Sequence, residues 1–324
     1  MWFKEAMRIF RKHRFAYSYK PGTNFLQSAE SFRGGSVSVM TQSYGRDAVG
    51  RLNGVGAAGA GLTFRSVDYQ LDDLDRRAEG VLNDGTKWDY DYNAKSEVTA
   101  AKRKFNSGAF VGGQQFEYAF DDIGNRTQTK SGGDAAGANL QVSSYGDANA
   151  LNELTTRTVP GVAGVTGKAP AALSLQGFAN SQPFSLTKQE DDYFFGEAAV
   201  NNSAWDVYAR VKVVAKNGAQ VDDLVSGSKF IARSPESFIY DADGNLTQDS
   251  RWIYTWDAEN RLTAMEARAE AVSAGAPKVR LCLDMTAADA DLRKKCMPGT
   301  SRPRLTRCSK ACGLCTTAGT WSEN

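Results

Sequence analysis

The sequence predicts a mainly β protein: an array of antiparallel hairpins, interrupted by a small β-sandwich-like segment. A recurring phrase is the first observation behind this. Phe238-Ile-Tyr240-Asp241-Ala-Asp-Gly244-Asn245-Leu246-Thr247 is followed by Tyr254-Thr-Trp256-Asp257-Ala-Glu-Asn260-Arg261-Leu262-Thr263. A recurrence of that length marks an array of like units. Composition is the second: aromatics are 10% of the 324 residues, and 31 glycines stand against 8 prolines, which suits turn-rich β structure.

Residues 1–14 hold Lys4, Arg8, Arg11, Lys12 and Arg14 and read as a short basic helix or a frayed start. They lack the apolar core and cleavage site of a secretory signal, so the chain made as written is expected in the cytoplasm. Residues 15–160 are expected to form the first part of the array. Tyr118-Ala-Phe120-Asp121-Asp-Ile-Gly124-Asn125 is a clear copy of the phrase; those at Tyr90–Asn93, Tyr69–Asp72 and Tyr44–Leu52 are more worn.

Each copy places aromatics at i and i+2, on one face of a strand, as with Tyr118 and Phe120 or Tyr254 and Trp256. An Asp or Asn follows, then two variable residues, then Gly or Asn. That is turn chemistry. The carboxylates of Asp121, Asp241 and Asp257 can accept hydrogen bonds from amides two residues on, and Gly124, Gly244 and Asn260 can supply the left-handed conformation. Asn125, Asn245 and Arg261 lead into a second strand. A lone hairpin is marginal in water, so the units must stack.

Residues 161–234 lose the phrase. About six short strands, with a hairpin signal at Asn217-Gly218, predict an inserted β-sandwich with Val207, Val211 and Val213 in its core. Residues 235–278 return to the tandem copies. The hairpins of 15–160 and 235–270 are expected in one continuous sheet.

These phrases resemble the YD repeats of the RHS (rearrangement hotspot) family, over about 15–160 and 235–270. The resemblance implies a partial RHS shell, because YD repeats coil into a long sheet that closes as a hollow shell. In polymorphic toxins that shell holds a C-terminal toxin; in animal relatives it carries adhesion domains. The implied parent is a large secreted or cell-surface protein. Its implied partners are neighbouring YD repeats, a toxin domain or cell-surface glycans. The Asp-Pro-x-Gly segment that ends a bacterial shell is absent.

The last stretch, 279–324, differs in composition. Residues 278–324 hold nine Lys or Arg against four acids, although the whole chain has a net charge of only +2, and all five cysteines lie there. Cys308-x3-Cys312-x2-Cys315 is similar to the cluster loop of radical S-adenosylmethionine enzymes, where three thiolates hold an iron–sulfur cluster. No barrel sequence follows it, and a zinc site with Cys296 would lack histidine, since His13 is the only one. Back-translation one base earlier lets 282–297 and 315–322 spell further Tyr-Asp phrases. The preferred reading is therefore a slip of frame between about Val279 and Cys282, leaving an irregular, metal-free tail.

Function then reads as non-enzymatic and structural, with no catalytic, cofactor or metal residues. No apolar run reaches the ~18 residues of a membrane helix, and the near-neutral charge suggests no nucleic acid. The repeat carboxylates recur at one place before each turn, which favours turn closure over catalysis or calcium binding. Arg126 and Arg261 are expected to pair with a neighbouring unit's aspartate or to stack on an aromatic. Gly54-x-Gly56-x-x-Gly59 matches a dinucleotide loop only superficially, since no helix follows. Two other readings compete. One is a carbohydrate-binding module that uses the insert or exposed repeat aromatics; the other is an Fe–S or zinc protein using Cys308, Cys312 and Cys315.

Overall fold

The computed structural model describes residues 13–283, apart from 35, 36 and 60. The basic start through residue 12, and the tail from 284 with Cys296, Cys308, Cys312 and Cys315, lie outside the described residues. The described residues divide into two compact units: 13–118 with 134–138, and 119–133 with 139–283.

Eleven strands follow one another in a single antiparallel sheet, in chain order. They are β1 His13–Tyr19, β2 Leu26–Arg33, β3 Val37–Arg46, β4 Leu52–Gly59, β5 Leu62–Leu71 and β6 Arg77–Leu82, then β7 Lys87–Tyr92, β8 Val98–Lys104, β9 Phe110–Phe120, β10 Arg126–Gly132 and β11 Leu140–Ser144. Each strand pairs with its sequence neighbour, as short connections between antiparallel strands allow. The aromatic stripe alternates as a strand requires: Tyr118 and Phe120 are half-buried while Ala119 between them is exposed.

After β11 the chain makes β12 (Thr156–Arg157) and leaves the array. It next forms β13 Val162–Lys168, β14 Ser174–Ala179, β15 Gln182–Phe184, β16 Thr187–Lys188, β17 Tyr193–Ala199, β18 Val207–Asn217 and β19 Gln220–Ile231, and returns on β20 Glu236–Ser237. These strands build a three-stranded sheet (β13-β17-β16) and a four-stranded sheet (β15-β14-β18-β19). Ala163, Val165, Phe194, Ala209, Val211 and Val213 form the core of this segment, with Val207 packed against it. Residues 209, 211 and 213 share a face because side chains alternate along β18. The array closes over the departure point, where β12 pairs with β20, Arg157 opposite Glu236.

The tandem phrases form a second sheet, in the order β21-β22-β23-β24-β25. Its strands are β21 Ile239–Tyr240, β22 Leu246–Gln248, β23 Trp252–Trp256, β24 Leu262–Ala267 and β25 Arg280–Cys282. The array is thus not one continuous sheet. The two-residue β12–β20 pairing belongs to neither sheet, and residues 158–235 separate its two strands in sequence.

A short helix, α1 (Ala269–Ser273), precedes β25. Its alanines favour helix, and Ala271 is buried. The expected frame junction falls inside β25. Cys282 lies opposite Ala264 and Leu281 opposite Met265, and the Leu283 amide still donates to the Thr263 carbonyl at 2.8 Å. Ordered pairing therefore continues through Leu283, and Cys282 is a half-buried free thiol rather than an exposed one.

Candidate functional site: the turn row

The carboxylates of the repeat are drawn into one local device. In the turn at Asp121, Gly124 N donates to Asp121 O (3.3 Å) and Asp121 N to Asn125 O (2.9 Å). Gly124 has φ +92°, the left-handed value that closes a type I turn with a bulge. The side chain then completes the ring. Asp121 Oδ1 accepts from the amides of Ile123 (3.0 Å) and Asn125 (2.8 Å), and Oδ2 from Asn125 Nδ2 (2.9 Å).

The same construction recurs in each unit. In the first, Asp47 accepts from Val49 N, Arg51 N and Arg51 Nε (3.0, 2.9 and 2.6 Å). Asp72 does so from Leu74 N, Arg76 N and Arg76 Nε (2.9, 2.9 and 2.7 Å). In the second, Asp241 holds Asp243 N, Asn245 N and Asn245 Nδ2 (3.0, 2.8 and 3.1 Å). Asp257 holds Glu259 N, Arg261 N and Arg261 Nε (2.9, 3.0 and 2.8 Å). Gly244 and Asn260 adopt φ +82° and +57°.

The fifth residue of the turn is what the sequence reading missed. In the turns that open on Asp47, Asp72, Asp121, Asp241 and Asp257 the fifth residue is a donor, Arg or Asn, whereas the turn at Asp134 has Ala138 there. At Asn93 and Asn149 the polarity inverts: Asn93 Nδ2 donates to Glu97 Oε2 (2.6 Å) and Asn149 Nδ2 to Glu153 Oε2 (2.5 Å). The donor–acceptor match between first and fifth positions was available in the sequence. Arg261 accordingly pairs within its own turn rather than with a neighbour's aspartate. Arg51 does both, bonding Asp47 and Asp75.

These contacts shift the carboxylates. The Arg51 guanidinium chiefly holds Asp47 below the usual carboxylate range. The amide of Asn245 does most for Asp241, and that of Arg261 for Asp257. At Asp121 partial desolvation pushes upward, but the Asn125 side chain and the turn amides outweigh it and leave the carboxyl lowered.

The aromatic tips are also engaged. Trp256 Nε1 donates to Leu246 O (2.8 Å), Tyr254 Oη to Asp249 Oδ2 (2.7 Å) and Tyr92 Oη to Arg77 O (2.8 Å). Arg76 lies over the Tyr92 ring (4.4 Å) and Arg77 over Tyr69 (4.2 Å). Burial and Asp249 raise the Tyr254 phenol strongly.

The second unit holds two cavities of note. A polar cleft of about 380 Å³ is lined by Asp121, Asn125, Arg126, Tyr145, Asp147 and Asn152 among others. An apolar slot of about 240 Å³ opens between the insert's sheets beside Phe194, Leu175 and Val213. Among the described residues no cluster of three or more His, Cys, Asp or Glu could hold a metal. No described helix is long and apolar enough to cross a membrane.

No family model and no curated protein matches this chain. Among solved structures it is similar to the Tc holotoxin pore of Photorhabdus luminescens, at 12% identity and TM-score 0.35, over 85% of this chain and 14% of that one. A TcdB2–TccC3–TEV crystal structure gives 11% identity and TM-score 0.34, over 85% of this chain and 14% of the other. A porin-like protein from Bacteroides uniformis gives 9% and 0.25, over 88% and 92%. The chain thus spans about 14% of the length of the first of these.

Proposed function

We propose that this chain is a structural segment of an RHS/YD-repeat shell protein, with no catalytic site of its own. The observation that carries this is the fate of the repeat carboxylates. Asp47, Asp72, Asp121, Asp241 and Asp257 each spend both oxygens on donors of their own turn. A carboxylate so engaged is a poor general base and a poor cation ligand. Through the resemblance of its repeats, the parent would enclose a toxin for delivery or present adhesion domains, from the cell surface or after secretion. Its nearest partners would be further YD hairpins.

The carbohydrate reading is less well supported, because Trp256 and Tyr92 have their polar tips tied to neighbouring strands and Tyr254 has its own tied to Asp249 in the preceding turn. Glycan-array binding and calcium titration of the intact chain test the proposal. No saturable binding is expected. Saturable glycan binding, or calcium binding that Asp121→Ala abolishes, would overturn it.

A further inference from the structure

The fifth residue of a turn does more than close its own ring. Arg51, having bonded Asp47, reaches with Nη1 to Asp75, the fourth residue of the next turn. Arg76 Nη1 reaches Ser96 Oγ (3.2 Å), the fourth residue of the turn at Asn93. In the second unit Asn125 Nδ2 donates to Asn152 Oδ1 (2.7 Å) and Asn245 Nδ2 to Asn260 Oδ1 (2.9 Å), again fifth residue to next fourth. Asp75, Ser96, Asn152 and Asn260 all adopt positive φ, between +57° and +63°. Glycine would suit each of these places better on backbone grounds alone. In all four an acceptor side chain stands there instead.

The inverted turns complete the pattern. Glu97 and Glu153 are acceptors and cannot donate to the next turn. Among the repeat turns, which open at residues 47, 72, 93, 121, 149, 241 and 257, the one that follows each of these carries glycine at its fourth place, Gly124 and Gly244. A Cβ added at Gly244 would come within 3.3 Å of Glu153 Oε1. That oxygen is shielded from solvent and accepts no hydrogen bond. The second of these pairings spans the insert: the turns at Asn149 and Asp241 are neighbours in the row although residues 158–235 separate them in sequence.

We propose that the fifth and fourth turn positions form a docking code that selects which hairpin stacks on which. A donor at the fifth place accepts a hairpin whose turn carries Asp, Asn or Ser at its fourth. A glutamate there accepts only a hairpin with glycine. The partner that such an edge takes, within this chain or from a parent, is a hairpin of matching class. The code rests on the structural reading of the turns, and the test separates the two.

The test is coupling, read by hydrogen exchange of the turn amides in the intact chain. Asp47→Asn with Arg51→Glu converts the first turn to the glutamate class and sets a carboxylate against Asp75. Its loss of protection at Val49 and Leu74 should be roughly threefold greater with Asp75 present than in an Asp75→Gly background, the scale of an exposed charge pair. Gly244→Asp and Gly244→Asn form a second comparison. Both carry the same backbone strain, but only Asp adds charge beside Glu153, so Asp should lose roughly threefold more protection at Asp243 and Asn245. Equal losses in both comparisons, in turns that stay protected in the parent, would overturn the code and leave the structural reading intact. Turns unprotected in the parent would instead remove that reading.

Discussion

Asp257 accepts from two amides and one guanidinium, bonds that are strongest while its carboxylate is ionised. Its folded-state pKa is depressed, first by the Arg261 amide. The stabilisation is therefore fully present above the ordinary carboxylate value of about 3.9 and is lost as pH falls through the lower folded value. Asp257→Asn keeps an oxygen for the two amides, as Asn93 does for Lys95 and Glu97, but has no charge to lose. Denaturant midpoints between pH 2 and 6 should fall less steeply for the variant than for the parent. Parallel profiles would contradict this role. The first and fourth turn residues were legible in the sequence because backbone demands on them are strong: an acceptor two residues before an amide, and a left-handed φ. The fifth was not recognised, because its role is relational. It must be read against the first residue of its own turn and the fourth of the next.

Among the elements, the insert is held by a small polar clasp at its neck. Buried Asn202 donates to Val159 O (3.0 Å) and Ala232 O (2.7 Å), and its own carbonyl accepts from Ser234 N (3.0 Å). Val159 N in turn donates to Ser234 Oγ (3.0 Å). Asn202→Ala would strand two carbonyls away from water, at a cost of about 2 kcal/mol. Thermal melts should show that loss in the insert, while the β12–β20 pairing, which uses Arg157 and Glu236, persists. A variant as stable as the parent would remove the clasp from the account. The strand content of the insert could be read from alternation, with Val211 and Val213 inward. Asn202 could not: a lone polar residue in a loop reads as exposed until the chain that returns beside it is known. Likewise α1 escaped notice, because a five-residue helix has too few turns to show a period.

At the scale of the whole molecule, hairpin order follows sequence order, so the architecture of the array was open to a reading of turns and aromatic spacing. The break between the large sheet and the sheet of the tandem copies was not, because it depends on where the insert departs, a pairing between residues 157 and 236. The aromatic stripe also differs along the array. Phe15, Tyr17 and Tyr19 on β1 are 61%, 59% and 56% exposed, and β1 pairs with β2 alone among the described strands. Burial of the stripe thus comes from having a strand on each side, as stacking units require. The repeat carboxylates close the turns and so hold the array. Hydrogen exchange at the amides of Ile123, Asn125, Asp243, Asn245, Glu259 and Arg261 tests this role most directly, in the parent and in Asp121→Ala, Asp241→Ala and Asp257→Ala. Strand-like protection is expected in the parent and its loss in each variant at its own turn. Amides that exchange as freely as an open loop, or that stay protected after the carboxylate is removed, would contradict it.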